Sequence, residues 1–81
     1  MTIIGTEAKA VNTMPAPNAY CAAQELAYEI NTARLEVADA YREVVQGSSF
    51  TVHAVSMSQT MLQDHFGKFY AVAVVEYHVT I

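Results

Sequence analysis

Residues Ala19 to Gln46, AYCAAQELAYEINTARLEVADAYREVVQ, contain no glycine and no proline and are rich in residue types that favour helix. Asn18 stands before this stretch and can cap the free N–H groups of a first helical turn. Gly47 stands after it and can take the left-handed conformation that commonly ends a helix. The sequence therefore predicts one helix, roughly 42 Å long at 1.5 Å per residue, against which the rest of this short chain must pack.

The predicted helix has an apolar face and a separate acidic stripe. The apolar face spans an arc of roughly 100° and consists of Ala22, Leu26, Ile30, Ala33, Val37, Ala40, Tyr41 and Val44. The acidic stripe is centred about 110° away and consists of Glu25, Glu29, Glu36, Asp39 and Glu43. Such a run of charge is typical of a solvated face, and docking of a basic partner or a cation is the alternative. The apolar face needs a cover, for which the residues after Gly47 are the candidates.

Residues 50–81 have the pattern of an antiparallel β-hairpin. The second arm, KFYAVAVVEYHVTI, is dense in the valine, tyrosine and phenylalanine that favour strands. The first arm begins as a clear strand, FTVHAV, and continues as SMSQTMLQ, where a bulge or an irregular loop could intervene. Between the arms lies Asp64-His65-Phe66-Gly67, whose aspartate and glycine favour a turn.

The hydrophobic pattern indicates the register of this hairpin, with Gln63 opposite Lys68. The pairs are then Leu62 with Phe69, Ala54 with Tyr77, Val52 with Val79 and Phe50 with Ile81. One face becomes almost continuously apolar and suits the helix. The other face carries Val55, Met57, Met61, Tyr70, Val72 and Val74 beside Gln59, Glu76 and two histidines. Because a water-facing side would alternate more cleanly, a second subunit is predicted to cover it, with Met57, Val72 and Val74 at the centre.

The predicted fold class is α+β: one long helix packed on a small antiparallel sheet, in a single domain of residues 1–81. Met1 to Val11 weakly favours a first strand, and two prolines make 12–18 a loop. The chain order is β-α-β-β, and a first strand beside the last gives the sheet order 1-3-2. This order resembles that of small oligomeric proteins such as the dodecins, which store flavin. The resemblance is of architecture alone, no tryptophan is present to stack a flavin, and no cofactor is predicted.

Composition limits the classes of partner. Eight acids against four scattered basic residues give a net charge of −4, so nucleic acid and anionic membranes are not expected. No apolar run approaches the ~20 residues of a membrane span. The single cysteine, Cys21, excludes an intrachain disulfide, and the first residues lack the features of a secretory signal, so the cytoplasm is the expected location. An apolar fraction of 53% in a domain this small favours a homo-oligomer.

One group of side chains has the types that could do chemistry. The predicted register puts His53 opposite His78, with Glu76 on the same side and diagonal to His53. Two imidazoles and a carboxylate could hold a divalent metal or act as an acid/base pair, and an exposed polar rim or a pH-sensitive subunit contact is the alternative.

No other catalytic pattern is present in the sequence. It has no glycine-rich phosphate loop, no nucleophile elbow, no HExxH and no CxxC. A non-catalytic, homo-oligomeric binding or accessory protein is therefore favoured over an enzyme. The alternative function is a carrier that holds a small-molecule ligand or a metal between subunits, with His53, His78 and Glu76 as its contacts.

Overall fold

One helix packs on a three-stranded antiparallel sheet, and the elements follow the predicted order β-α-β-β. A computed structural model describes all residues from Met1 to Ile81. The elements are β1 (Ile3–Asn12), α1 (Ala19–Val45), β2 (Thr51–Gln63) and β3 (Phe69–Thr80). The sheet order is β1-β3-β2, which confirms the α+β fold and the central place of the last strand. α1 lacks the combination of length and apolar character that a membrane-crossing helix needs.

Both ends of α1 are fixed by local hydrogen bonds. The Asn18 side chain accepts from the Cys21 N–H at 2.8 Å, as an N-cap does. At the other end the left-handed conformation begins one residue earlier than predicted, at Gln46 (φ 49°), and continues at Gly47 (φ 89°). The Ser48 N–H donates to Val45 O across these two residues, and a turn with positive φ at both central positions gives this geometry.

The proline-containing segment after β1 stays beside β3 and is more ordered than a simple loop. Thr13 N–H donates to Ala71 O at 2.9 Å, and the Thr13 hydroxyl accepts from Ala71 N–H at 2.9 Å. Ala16 exchanges two backbone hydrogen bonds with Phe69. Because prolines have no N–H, the residues between and before them supply these contacts.

The register predicted for the hairpin is wrong beside the turn. Leu62 lies opposite Tyr70, and Gln63 lies opposite Phe69, one residue away from the predicted pairing. The cause is the turn: the Asp64 N–H donates to Lys68 O at 2.8 Å, which leaves a three-residue loop ending in Gly67 at φ 82°. Such loops place glycine at the left-handed position. The Asp64 carboxylate also accepts from two backbone N–H groups of the turn.

A bulge at Val55 restores the predicted pairing further along. The register shifts between Ala54 and Ser56, after which Ala54 lies opposite Tyr77. Between the turn and the bulge, β2 is shifted by one residue from the predicted register, and such a shift moves every side chain to the other face. Met57 and Met61 therefore line the helix side of the sheet with Ala71. The prediction that Met57 lies at the centre of the outer face is therefore wrong. The outer face keeps Val72 and Val74, as predicted.

The core lies between α1 and β3. Its nine members are buried: Leu26, Ala33, Val37, Val52, Ala71, Ala73, Val75, Tyr77 and Val79. Ile30 and Tyr41 are half-buried against this cluster, which confirms most of the predicted apolar face of the helix. Val44 does not belong to it, because the packed part of α1 ends near Tyr41 and leaves Val44 66% exposed.

Two tyrosine hydroxyls join the helix and the sheet. Tyr77 donates to Ile30 O at 2.7 Å, and Tyr41 donates to Glu7 Oε1 at 3.2 Å. The pKa of Tyr41 is raised, chiefly by burial of the hydroxyl and further by the hydrogen bond to Glu7 and by the charge of Glu7. The Tyr41 ring also occupies the space that a side chain at Gly5 would need, and β1 carries a bulge there.

The molecule is elongated and leaves much of its surface uncovered. It measures 48 × 18 × 15 Å, with a radius of gyration of 15.0 Å, against about 12 Å for a compact domain of this length. Its accessible surface is 5320 Å², where a typical monomer of this mass exposes about 4,800 Å². Thirteen of the 81 residues are buried, so the chain on its own protects little of its apolar content from water.

Candidate functional site

The histidine pair predicted from the sequence is brought together on the outer face of the sheet. His53 on β2 lies directly opposite His78 on β3, and both are half-buried. This part of the hairpin lies beyond the Val55 bulge, so the misplaced register near the turn does not affect it.

The two imidazoles contact different partners. His53 Nε2 lies 3.1 Å from the Thr80 hydroxyl oxygen, and His78 Nε2 lies 3.6 Å from Glu76 Oε1. The bulge places Glu76 opposite Ser56, so the carboxylate approaches His78 along its own strand. No group of three or more His, Cys, Asp or Glu side chains converges on a metal position in these conformations. Each imidazole Nε2 has its own partner, and the metal site stays a prediction.

A shallow cavity surrounds the histidine pair. Its volume is about 470 Å³, and its walls are Met1, Ile3, His53, Val55, His78 and Thr80. Aliphatic side chains therefore stand beside two imidazoles and a hydroxyl. Such a mixture of apolar walls and a few polar groups suits a small organic ligand.

A second concave surface, which we call the methionine groove, runs between α1 and β2. Its volume is about 360 Å³, and it is lined by Ala23, Leu26, Ala27, Ile30, Met57, Gln59, Thr60, Met61 and Ala71. Small alanines on the helix leave the space, and two methionines of the strand face into it. Sequence reasoning missed this groove because it put the methionines on the other face. Asp64 and Gly67 are the sequence signal for this turn, but they fit a two-residue loop as well as the three-residue loop that sets the observed register.

Comparison with known proteins gives no assignment. No family model, no curated protein and no solved structure matches this chain. Function is therefore inferred from the surfaces of the molecule itself.

Proposed function

We propose that this chain is the subunit of a homo-oligomer that acts as a non-catalytic binding or accessory protein. The observation that carries the proposal is the elongated subunit, with a radius of gyration of 15.0 Å and large apolar side chains exposed along both sides of its sheet. Contiguous apolar patches of this kind are rare on monomers and mark interaction surfaces.

The outer face of the sheet is one of these surfaces. Val74 is 53% exposed at its middle, beside Val72 on the same strand. Small residues flank the two valines on the neighbouring strands: Ala10 and Asn12 on β1, and Ser58 and Thr60 on β2. The result is a shallow trough of about 320 Å³ that another copy can fill. An antiparallel sheet commonly has one solvated face, but such a face carries polar side chains on its central strand.

The absence of catalysis in this proposal is supported by the surroundings of the histidines. The Thr80 hydroxyl is the one nucleophilic oxygen that a histidine contacts, and Thr80 is only 6% exposed. A working nucleophile needs a base that a third group orients and a place for substrate beside it. His53 has no such orienting partner.

The oligomer gives the first testable prediction. Native mass spectrometry of the purified protein at micromolar concentration should show a multiple of the 8.9 kDa subunit. Val74→Lys should lower the mass of the assembly, because it places an unpaired ammonium group in the contact on the outer face of the sheet. Val44→Lys, the same change at an exposed valine on the helix, should keep the wild-type mass. A wild-type protein that sediments as a monomer would contradict the proposed function.

A ligand or metal carrier is the second candidate function. The observation that favours it is the direct opposition of His53 and His78 at the wall of a cavity of about 470 Å³. Opposed residues on antiparallel strands have Cβ atoms about 4.5–5.5 Å apart, which lets two imidazoles reach one ion, with Glu76 as a third contact from a neighbouring position. A subunit docked on the outer face would close the cavity.

Zinc binding tests this second candidate. Calorimetric titration of the apoprotein should show binding that His53→Ala and His78→Ala each abolish and that Glu76→Gln weakens. Affinity should fall as the solution is acidified, because only neutral imidazole binds metal. His65→Ala is the control, since His65 lies in the hairpin turn against Phe66. Equal affinity for the wild type and the His53 variant would refute the metal site.

The proposal also places the subunits in a reducing cytoplasm. Its support is the single cysteine, Cys21, which is a free thiol in the first turn of α1. Proteins of oxidising compartments usually use cysteines in disulfides. The net charge of −4 supports a protein or small-molecule partner over a nucleic acid.

A further inference from the structure

The outer edge of the sheet at β2 is long and uncharged, and its one protective feature is the bulge at Val55 toward the start of the strand. β2 has 13 residues, and β3 is its neighbour on one side alone. Its sequence, TVHAVSMSQTMLQ, contains no lysine, arginine, aspartate, glutamate or proline. Natural sheets usually protect an edge with charges, prolines or short strands, because free backbone groups pair readily with another strand.

The opposite edge of the same sheet is different. β1 is shorter, with 10 residues, and it carries Glu7 and Lys9. Lys9 Nζ lies 3.8 Å from Glu36 on the helix. A bulge beside Gly5 interrupts the strand near its start. Charges and bulges both discourage edge pairing. Each edge strand has a bulge, but charged side chains are found on β1 alone, so the two edges of the sheet differ in chemical character.

The hydrogen-bonding direction of β2 shows which backbone groups are free. The Asp64 N–H points to β3, because it donates to Lys68 O, and the pairing is regular from Gln63 back to Ser56. Backbone groups of alternate residues in an antiparallel strand point to opposite sides. Those of Met57, Gln59, Met61 and Gln63 therefore point away from the sheet.

We infer that β2 pairs with β2 of a second copy, antiparallel, about a two-fold axis at Gln59. This inference rests on the proposed homo-oligomer and names a second contact, at the sheet edge, in addition to the outer face. The register places Gln59 opposite the partner's Gln59 and Met57 opposite the partner's Met61. The three pairs formed by these residues satisfy their outward N–H and C=O groups with each other. Two three-stranded sheets become one sheet of six strands, with both helices on the same face.

The methionine groove explains why this register fits. α1 packs chiefly against β3, so the two helices of the pair lie about three strand spacings, roughly 14 Å, apart. Directly packed helices lie about 8–10 Å apart, and the difference leaves a trough above the joined strands. Met57 and Met61 of both copies lie in this trough. Unbranched methionine side chains are suited to filling such an irregular gap.

The contact is of moderate size. The two copies of β2 overlap over residues 55–63, about 30 Å at 3.3 Å per residue, and the molecule is 15–18 Å across, which gives a face on the order of 450–550 Å². This is smaller than the roughly 800 Å² that each partner buries in a standard interface and corresponds to a reversible dimer. The acidic stripe of α1 lies away from the groove, and none of the residues that line the groove is charged.

A charge placed on the axis tests the pairing. Gln59→Lys puts two ammonium groups opposite each other and should raise the dimer dissociation constant at least about tenfold, because juxtaposed like charges are strongly unfavourable. Gln63→Lys is the matched control on the same edge, and it should have at most a small effect because its side chain lies far from its copy. Analytical ultracentrifugation measures the dissociation constants of both variants, and far-UV circular dichroism checks that each variant is folded.

A cysteine cross-link tests the register separately. In a Cys21→Ala background, Gln59→Cys should form a disulfide-linked dimer under mild oxidation, because hydrogen-bonded pairs have Cα atoms about 5.5 Å apart, within the range that disulfides accept. Gln63→Cys should not, because it lies about 26 Å from its copy in this register. A cross-link at Gln59 supports the pairing even if Gln59→Lys fails to fold.

The outcomes separate this inference from the proposed function. A monomeric wild type would overturn both. An oligomeric wild type that Gln59→Lys leaves intact, with no cross-link at Gln59, would overturn the β2 pairing and keep the oligomer. That result would assign the free edge and the groove to a different occupant, such as an extended peptide or an apolar small molecule.

Discussion

Replacement of Tyr77 by alanine is expected to unfold most of the protein at 37 °C. Tyr77 is completely buried at the centre of β3, and its hydroxyl donates to Ile30 O on the helix. Deleting a buried aromatic side chain costs about 3–5 kcal/mol. A domain holds only about 5–15 kcal/mol in total, and the small core of this chain favours the lower end. Urea denaturation followed by circular dichroism, at a fixed subunit concentration, measures the loss.

Two further variants separate the contributions at this position. Tyr28→Ala is the matched control, because Tyr28 is 68% exposed on the helix, and it should change stability by no more than about 0.5 kcal/mol. Tyr77→Phe keeps the ring and should lose about 0.5–1.5 kcal/mol, the value of one hydrogen bond. Similar urea midpoints for the Tyr77 and Tyr28 alanine variants would mean that the core is misassigned.

The Tyr77 hydroxyl also gives the protein a sensitivity to alkali. Burial raises the pKa of Tyr77, and the charge of Arg34 opposes this in part. Above about pH 10 the unfolded tyrosine loses its proton while the folded one keeps it, so stability falls as the pH rises. Tyr77→Phe should reduce this alkaline loss.

Gly5→Val is expected to destabilise the fold by about 1–3 kcal/mol or more, the usual cost of overpacking. A Cβ atom at Gly5 would overlap the hydroxyl and ring of Tyr41. The ring cannot move away without losing its hydrogen bond to Glu7. Urea midpoints of the wild type and the variant measure the effect.

A double-mutant cycle identifies the cause. Tyr41→Ala removes the obstruction, so Gly5→Val should cost much less in that background, and the two changes should be strongly non-additive. Gly47→Ala provides the control. Nothing lies within 4 Å of a Cβ at Gly47, whose φ is +89°, so its cost is backbone strain and should add to that of Tyr41→Ala. Additive effects of the Gly5 and Tyr41 changes would show that the two residues do not meet.

Much of the fold could be predicted because its signals are local. Asn18 and the absence of glycine and proline between Ala19 and Gln46 determine the helix, and its bounds are confirmed within one residue. The valine-rich last arm is the central strand, since a strand buried on one face and flanked on both sides needs that composition. The opposition of His53 and His78 is confirmed as well.

The register of the hairpin could not be predicted in full, because it changes by one residue at each of two places, the turn and the bulge. Asp64 and Gly67 fit either a two-residue or a three-residue hairpin loop, and the choice shifts every pair beside it. The bulge at Val55 carries no glycine or proline that would mark it in the sequence. Its effect is to return Ala54 and the residues before it to the predicted pairs. The three-residue loop exchanges the faces of Met57 and Met61, and the methionine groove could not be predicted without that loop length.

The place of β3 between its neighbours has a consequence for synthesis. β1 and β2 do not pair with each other, and β3 follows both in the chain. β2 therefore leaves the ribosome shortly before β3, the strand that pairs with it. Until β3 follows, both edges of β2 are free, and pairing with another chain competes with folding within one chain for the same backbone groups.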